Sequence, residues 1–234
     1  MKLFAIDSPL MNLLSKISNL LILNLITVIM CIPIITAGAS FTAMHYVCLK
    51  IVRGHETSII KQFFHSFKDN FKQSTIIWLL FLAVMAFLGY DFMLMYLNPT
   101  EMSTFVFGGL LAFMLIVLFG GCMVFPIQAK FYNKITVTLK TAFVFSFKHF
   151  FRTLLFLVLK LLPLALFFIG NLGIVFFPVI LCFCFTVPGF VAAKMYDKFF
   201  QEAEDIINAK QKAEHPEEDN DRIFTDVPET EKTS

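Results

Sequence analysis

Charge is what this sequence has least of. Asp, Glu, Lys and Arg make up 15% of its 234 residues, and 58% are apolar. A soluble domain carries about 25% charged residues, so a soluble fold of ordinary type is excluded. Carboxylates are scarcest where the chain is most apolar. Residues 1–193 hold five Asp/Glu against 13 Lys/Arg, a net +8, and residues 194–234 hold 12 against six, a net −6. The basic residues are dispersed among long uncharged runs and form no soluble basic module, which excludes nucleic-acid binding.

Other scarcities narrow the chemistry. Five cysteines, Cys31, Cys48, Cys122, Cys182 and Cys184, all lie inside apolar runs, and no two form a CxxC pair. A disulfide framework or zinc site has no basis, and the thiols read as small buried apolar groups. No histidine pairs with another His at ligand spacing. Ser66 and Ser146 lack a matched base and orienting acid. The glycines that adjoin, Gly108-Gly109 and Gly120-Gly121, sit within one apolar run, where Gly109 and Gly120 fall on nearly one helix face and suggest close helix packing rather than a phosphate loop. The expectation is a protein that is not an enzyme and has no catalytic residue, metal or cofactor.

What is present is length of apolar sequence. A helix crossing the hydrocarbon needs about 20 apolar residues. The uncharged runs give spans at about 17–36, 74–97, 103–128, 153–170 and 173–193, the last two divided at Gly170-Asn171-Leu172-Gly173. Barrel strands alternate over about ten residues, and these runs do not alternate. The fold class is therefore an all-α membrane protein with about five transmembrane helices. Six are possible, because residues 17–49 form one long kinked helix or two short spans parted near Pro33 and Thr36-Ala37-Gly38-Ala39-Ser40. Ala37-Gly38-Ala39 imitates a signal-peptidase site, but the apolar run before it is too long and Asp7 is out of place in a basic leader. Residues 1–200 make the membrane domain. Residues 201–234 are an acidic, mostly disordered tail, of which 210–234 are dispensable for folding, and an amphipathic helix over 195–209 is allowed by Met195, Phe199, Phe200, Ile206 and Ile207.

The sequence also repeats itself. FFHSFKDNFK at 63–72 returns as FVFSFKHFFR at 143–152, offset by 80, so that Phe63, Ser66, Phe67, Lys68 and Phe71 recur as Phe143, Ser146, Phe147, Lys148 and Phe151. Met30-Cys31-Ile32-Pro33-Ile34 resembles Met123-Val124-Phe125-Pro126-Ile127 at an offset of 93, and a third proline exit ends at Pro188. Each unit runs span, proline exit, basic connector, span. Both connectors are amphipathic, with Phe opposed to Lys61, Lys68 and Lys72 in the first and to Lys140, Lys148 and Arg152 in the second. Such helices lie at the interface with their cations against anionic lipid headgroups, or they extend a span and pack their aromatic side on their own bundle.

One block is more specific. Asn24-Leu25, Pro33, Thr36-x-Gly38-Ala39-Ser40-x-Thr42-Ala43, Tyr46-Val47-x-Leu49-Lys50, Arg53-Gly54-x-Glu56 and Phe63-Phe64-x-Ser66-Phe67-Lys68-x-Asn70-Phe71-Lys72-Gln73 together resemble the YesL family, a bacterial membrane domain of unknown function numbered 624. The resemblance covers residues 1–200 and is strongest over 20–75. It implies a multi-span protein of the bacterial inner membrane. Relatives often lie near genes for carbohydrate ABC transporters, which implies an accessory role in sugar uptake with an ABC permease as partner. It supplies no catalytic residue. A small transporter or channel in its own right is the alternative, and a shortage of membrane-embedded polar residues weighs against it.

Two charges fall inside the spans. Lys160 lies eight residues beyond Arg152, about 12 Å along its helix, and Asp91 about 9 Å from the outer end of the second span, at roughly 1.5 Å per residue. Their depths allow an ion pair within the bundle or a shared hydrated cavity, which makes Asp91 and Lys160 the candidate functional site. Residues 50–72 and 130–152 each carry five Lys/Arg, whereas the opposing loops carry none. The positive-inside bias puts both connectors and the C-terminus in the cytoplasm. Five spans then place the N-terminus outside, against the preference of Lys2 and Lys16, and six place it inside.

Overall fold

Helix accounts for almost all of the structure, a computed structural model that describes residues 9–54, 58–97, 104–131, 133–167 and 183–214, with no strand among them. The elements are α1 (Pro9–Cys31), a 3-10 turn (Ile34–Thr36), α2 (Ala37–Val52), α3 (Ile59–Leu97), α4 (Thr104–Gly121), α5 (Val124–Lys130), α6 (Ile135–Lys148), α7 (Phe150–Phe167) and α8 (Thr186–Glu214). Four stretches are long and apolar enough to cross a membrane, Leu14–Cys31, Ile34–Val52, Ile59–Met95 and Phe105–Lys130, and the bent pair α6–α7 makes a fifth if it counts as one span. Large apolar side chains point outward along them, Leu25, Phe87 and Phe105 among them, with Phe105 91% exposed. In water such a surface would aggregate; in hydrocarbon it is the required one.

The stretch 17–49 is two helices, not one kinked span. Pro33 has no N–H to donate, and the chain breaks at Ile32–Pro33 into the 3-10 turn. The carbonyls freed there are taken up: Thr36 Oγ1 donates to Met30 O (2.5 Å) and Pro33 O (2.8 Å), and Trp78 Nε1 donates to Ile34 O (2.7 Å). The two helices fold back on each other. Asn24, seven residues before the end of α1, accepts from the N–H groups of Phe185 and Thr186, while the thiol of Cys48, late in α2, lies 4.0 Å from Thr186 O. Both points can meet Thr186 only in a hairpin. This replaces the expected single span at 17–36 and brings the start of α1 to the same side as the Lys50–Arg53 end of α2.

At the centre stands α2. It packs against α1, α3, α5 and α8, and Ala39, Ala43, Val47 and Cys48 are completely buried. Its small residues permit that crowding. A Cβ on Gly38 would lie 2.5 Å from both Ser74 O and Trp78 Cβ of α3, and one turn on, Thr42 Oγ1 and Ser74 Oγ share a 2.9 Å hydrogen bond. This is the small-residue contact on which helices associate in lipid. After α2, Gly54 adopts φ +76°, a left-handed conformation in which glycine is at ease, and the chain turns into α3.

The two repeat units diverge in shape. In the first, connector and span form one helix: α3 has 39 residues, about 58 Å at 1.5 Å per residue, against about 30 Å of hydrocarbon. Its first half therefore stands outside the membrane, and Phe63 and Phe67 are buried in the core. The connector's aromatic side thus packs on its own bundle. In the second unit, α6 and α7 meet at a 104° bend at His149. There the His149 ring lies against Phe145 and Phe199 (centroids 4.7 and 4.4 Å), and Thr153 Oγ1 bonds Tyr196 Oη of α8 at 3.1 Å. Phe147, Phe150 and Phe151 remain outward, so this unit keeps an exposed aromatic face. The proline exits recur in form. Two-residue turns at Cys122–Met123 and Cys184–Phe185 precede α5 and α8, where Pro126 and Pro188 are the third helical residue and their missing N–H costs nothing.

Three further expectations are corrected. The span at 103–128 is interrupted at Cys122–Met123. Gly120 does pack closely, against the ring of Phe143, but Gly109 meets nothing within 4 Å. The helix α8 continues through 201–214, beyond the expected start of a disordered tail. The division at Gly170–Gly173 and residues 173–182 of the span at 173–193 lie outside the described residues, as do residues 215–234.

Two outcomes follow. In intact cells, cysteines introduced at Leu3 and Thr230 should both resist an impermeant thiol reagent and react after permeabilisation; labelling of position 3 in intact cells would contradict the α1–α2 hairpin as a double crossing. Gly38→Ala should lower stability in detergent by about 1–3 kcal/mol, as overpacking does. Gly109→Ala, in open space, should stay within about 0.5 kcal/mol of the native chain in the same denaturation assay.

Candidate functional site

The expected pair of Asp91 and Lys160 is not formed. Asp91 stands near the end of α3, next to Phe92, whose ring meets Phe107 early in α4 (centroids 5.6 Å). Lys160 instead shares a cavity with Cys122, just beyond the other end of α4. Phe107 and Cys122 are fifteen residues apart, roughly 22 Å at about 1.5 Å per residue, far beyond any ion pair. The two depths are counted along separate helices, and depth along a helix fixes neither its direction nor the neighbours its side chains meet. The 104° bend at His149 sets α7 in a different direction.

The cavity has a volume of about 460 Å³, within the range of small-molecule sites, about 300–1,000 Å³. Its inner wall is Phe41 and Met44 of α2 with Ile77, Trp78 and Phe81 of α3. Val117 and Leu118 of α4, Val124 and Phe125 of α5, and Phe143 of α6 continue it. Aromatic contacts fix one end: the Phe41 ring meets Trp78, Phe125 and Phe185 at centroid distances of 5.8, 5.8 and 5.3 Å. Among the described lining residues Lys160 is the one with a formal charge. Its ammonium lies 5.0 Å from the centroid of the Phe156 ring, a cation–π contact. The same ring receives His45 of α2 edge-on at 6.0 Å. His45 is buried, and its Nε2 has no hydrogen-bond partner. A lysine at mid-helix costs about 2.5–3.5 kcal/mol on insertion scales, so a cation retained in an apolar cavity calls for a reason.

The six connector cations, Lys61, Lys68, Lys72, Lys140, Lys148 and Arg152, are all exposed. Arg152 also sits 4.6 Å over the Phe199 ring, tying the bend to α8. A cation missed by the sequence reading is more deeply engaged: Arg53 Nε donates to Asp197 Oδ1 at 2.8 Å, both side chains largely buried. Nothing local to either residue signals a partner 144 positions away.

Polar side chains inside the bundle are more numerous than the scarcity of charge suggests. Asn24, Thr27, Ser40, Thr42, Ser66, Asn70 and Ser74 are buried, and they serve the helices. Thr27 and Ser40 donate to carbonyls four residues back, at 2.7 and 3.0 Å, and Asn70 Nδ2 donates to Ser66 O at 3.0 Å. The supposed shortage of embedded polar groups is therefore a shortage of embedded charge. Cys31, Cys48, Cys122 and Cys184 form no disulfide, and Cys182 lies outside the described residues.

Residues 20–92 match the model of a family described as "Protein of unknown function, DUF624", the family that the Asn24-to-Gln73 block resembles. No curated protein and no solved structure matches the chain. The matched segment is α1 from its middle, α2 and most of α3, which contribute to the core, and α2 and α3 form one wall of the cavity.

If Asp91 and Lys160 are independent, the stability changes from Asp91→Asn and Lys160→Met should add in the double variant to within about 0.5 kcal/mol. Equilibrium unfolding of the four proteins in one detergent measures this. Rescue of Lys160→Met by Asp91→Asn would restore the pair.

Proposed function

We propose that the chain is a non-enzymatic accessory component of a carbohydrate-uptake system of the ABC type in the bacterial inner membrane, with its connectors and C-terminus in the cytoplasm. The link to carbohydrate uptake comes from the family resemblance. The observation that carries the non-enzymatic part is the role of the family block itself. Asn24 caps α8, Thr36 closes the proline break, Gly38 and Thr42 join α2 to α3, and Arg53 holds Asp197. These side chains are engaged in holding helices together, which suits a scaffold that presents a fixed surface. The walls of the cavity are apolar, and a sugar, whose hydroxyls each need a hydrogen-bond partner when buried, finds no matching set there. This disfavours a sugar path through the chain and hence the alternative of a transporter in its own right.

Affinity purification of the full chain from native membranes in mild detergent tests the proposal. ABC permease subunits should co-purify at a fixed ratio. Purification without any permease, together with sugar flux into liposomes that contain the chain alone, would replace the accessory reading with the transporter.

A further inference from the structure

We propose that the Lys160 cavity is a binding site for a single-chain acidic amphiphile from the bilayer, with its apolar chain along the α2–α3–α4 walls and its anionic head on the Lys160 ammonium. Three observations lead there, and none depends on the role in sugar uptake.

The first is the unbalanced cation. Lys160 faces a cavity whose other walls carry no formal charge among the described residues, and its contact is the Phe156 ring rather than a carboxylate. In low dielectric an ammonium gains most from an anion brought to it. His45 lies against the same ring with its Nε2 unpartnered.

The second is size. A water's share of liquid volume is about 30 Å³, and a methylene is of similar bulk. The cavity of about 460 Å³ therefore holds on the order of fifteen methylenes. That is one acyl chain with its head, and too little for a two-chain lipid.

The third is access. Leu80 of α3, Phe113 of α4 and Leu161 of α7 line the cavity and are about half exposed. Leu80 and Phe113 lie on membrane-crossing stretches, whose surroundings are hydrocarbon, and the cavity is reached from that side. An occupant enters from the membrane, as an amphiphile does and a water-soluble anion does not.

The shared chemistry is an anionic head on one chain, either the carboxylate of a free fatty acid or the phosphate of a lysophospholipid. The chain's single tryptophan, Trp78, lines the cavity and reports on occupancy. The full chain in detergent is titrated with a dibrominated fatty acid, its uncharged methyl ester and a dibrominated lysophosphatidic acid, with Trp78 quenching as readout. Saturable quenching by at least one of the two acids, with the ester at least about tenfold weaker, is expected from a charge-assisted contact. Whichever acid binds more tightly identifies the source of the head. Lys160→Met should remove the preference for acid over ester, and Lys160→Arg should keep it. Val117→Phe, which fills the cavity and leaves the charge, should abolish saturable quenching by all three. Equal binding of acid and ester by the native chain would overturn the proposal. So would saturable quenching that survives Val117→Phe.

Discussion

The contact between α2 and α3 at Gly38 governs the rest of the molecule. Lipid offers no hydrophobic drive for helices to associate, so they must gain from close packing and from hydrogen bonds between them. Gly38 lets the α2 backbone meet Ser74 and Trp78, and Thr42 joins Ser74 across the same seam. With α3 seated on one side of α2, the other sides take α1, α5 and α8. The helix of lowest side-chain bulk thus becomes the axis, and bulky residues such as Phe105 face outward.

Around that axis the proline exits act as a construction rule. The first two stop a long helix, and all three start a segment that packs against α2, or, in the first case, α2 itself. In hydrocarbon a broken helix must find partners for its freed backbone groups. Thr36 and Trp78 supply them at the first exit and Asn24 at the third. Asn24 and Thr36 belong to the family block, and Gly38, Thr42 and Arg53 of the same block join helices to one another. Their pattern reads as architecture, which explains why so specific a block carries no recognisable chemistry.

The cavity is a by-product of the same arrangement that acquires a chemical character. The bend at His149 draws α7 away from the line of α6, and the aromatic contacts of His149 and Arg152 with α8 hold it there. Lys160 is carried into a space bounded by α2, α3 and α4 instead of toward Asp91. Two intramembrane charges that look like partners by depth face different neighbours, because depth says nothing about which side of the bundle a residue meets.

The sequence by itself determined what depends on composition and local period. The helical membrane class, the stretches long enough to span, the proline exits, the exposed connector cations and the family block follow from runs of apolar residues and from spacing along one chain. Two readings stay open in the sequence and need the fold. Whether 17–49 was one helix or two turned on where Asn24 and Cys48 meet Thr186, and whether the first connector lay on lipid or on protein turned on where Phe63 and Phe67 are buried. Contacts between distant residues were out of reach altogether. Arg53 with Asp197, Lys160 beside Phe156 and His45, and the close approach at Gly38 are set by how helices dock and where one of them bends. A one-dimensional pattern fixes which face of a helix is apolar, but not which neighbour that face will meet.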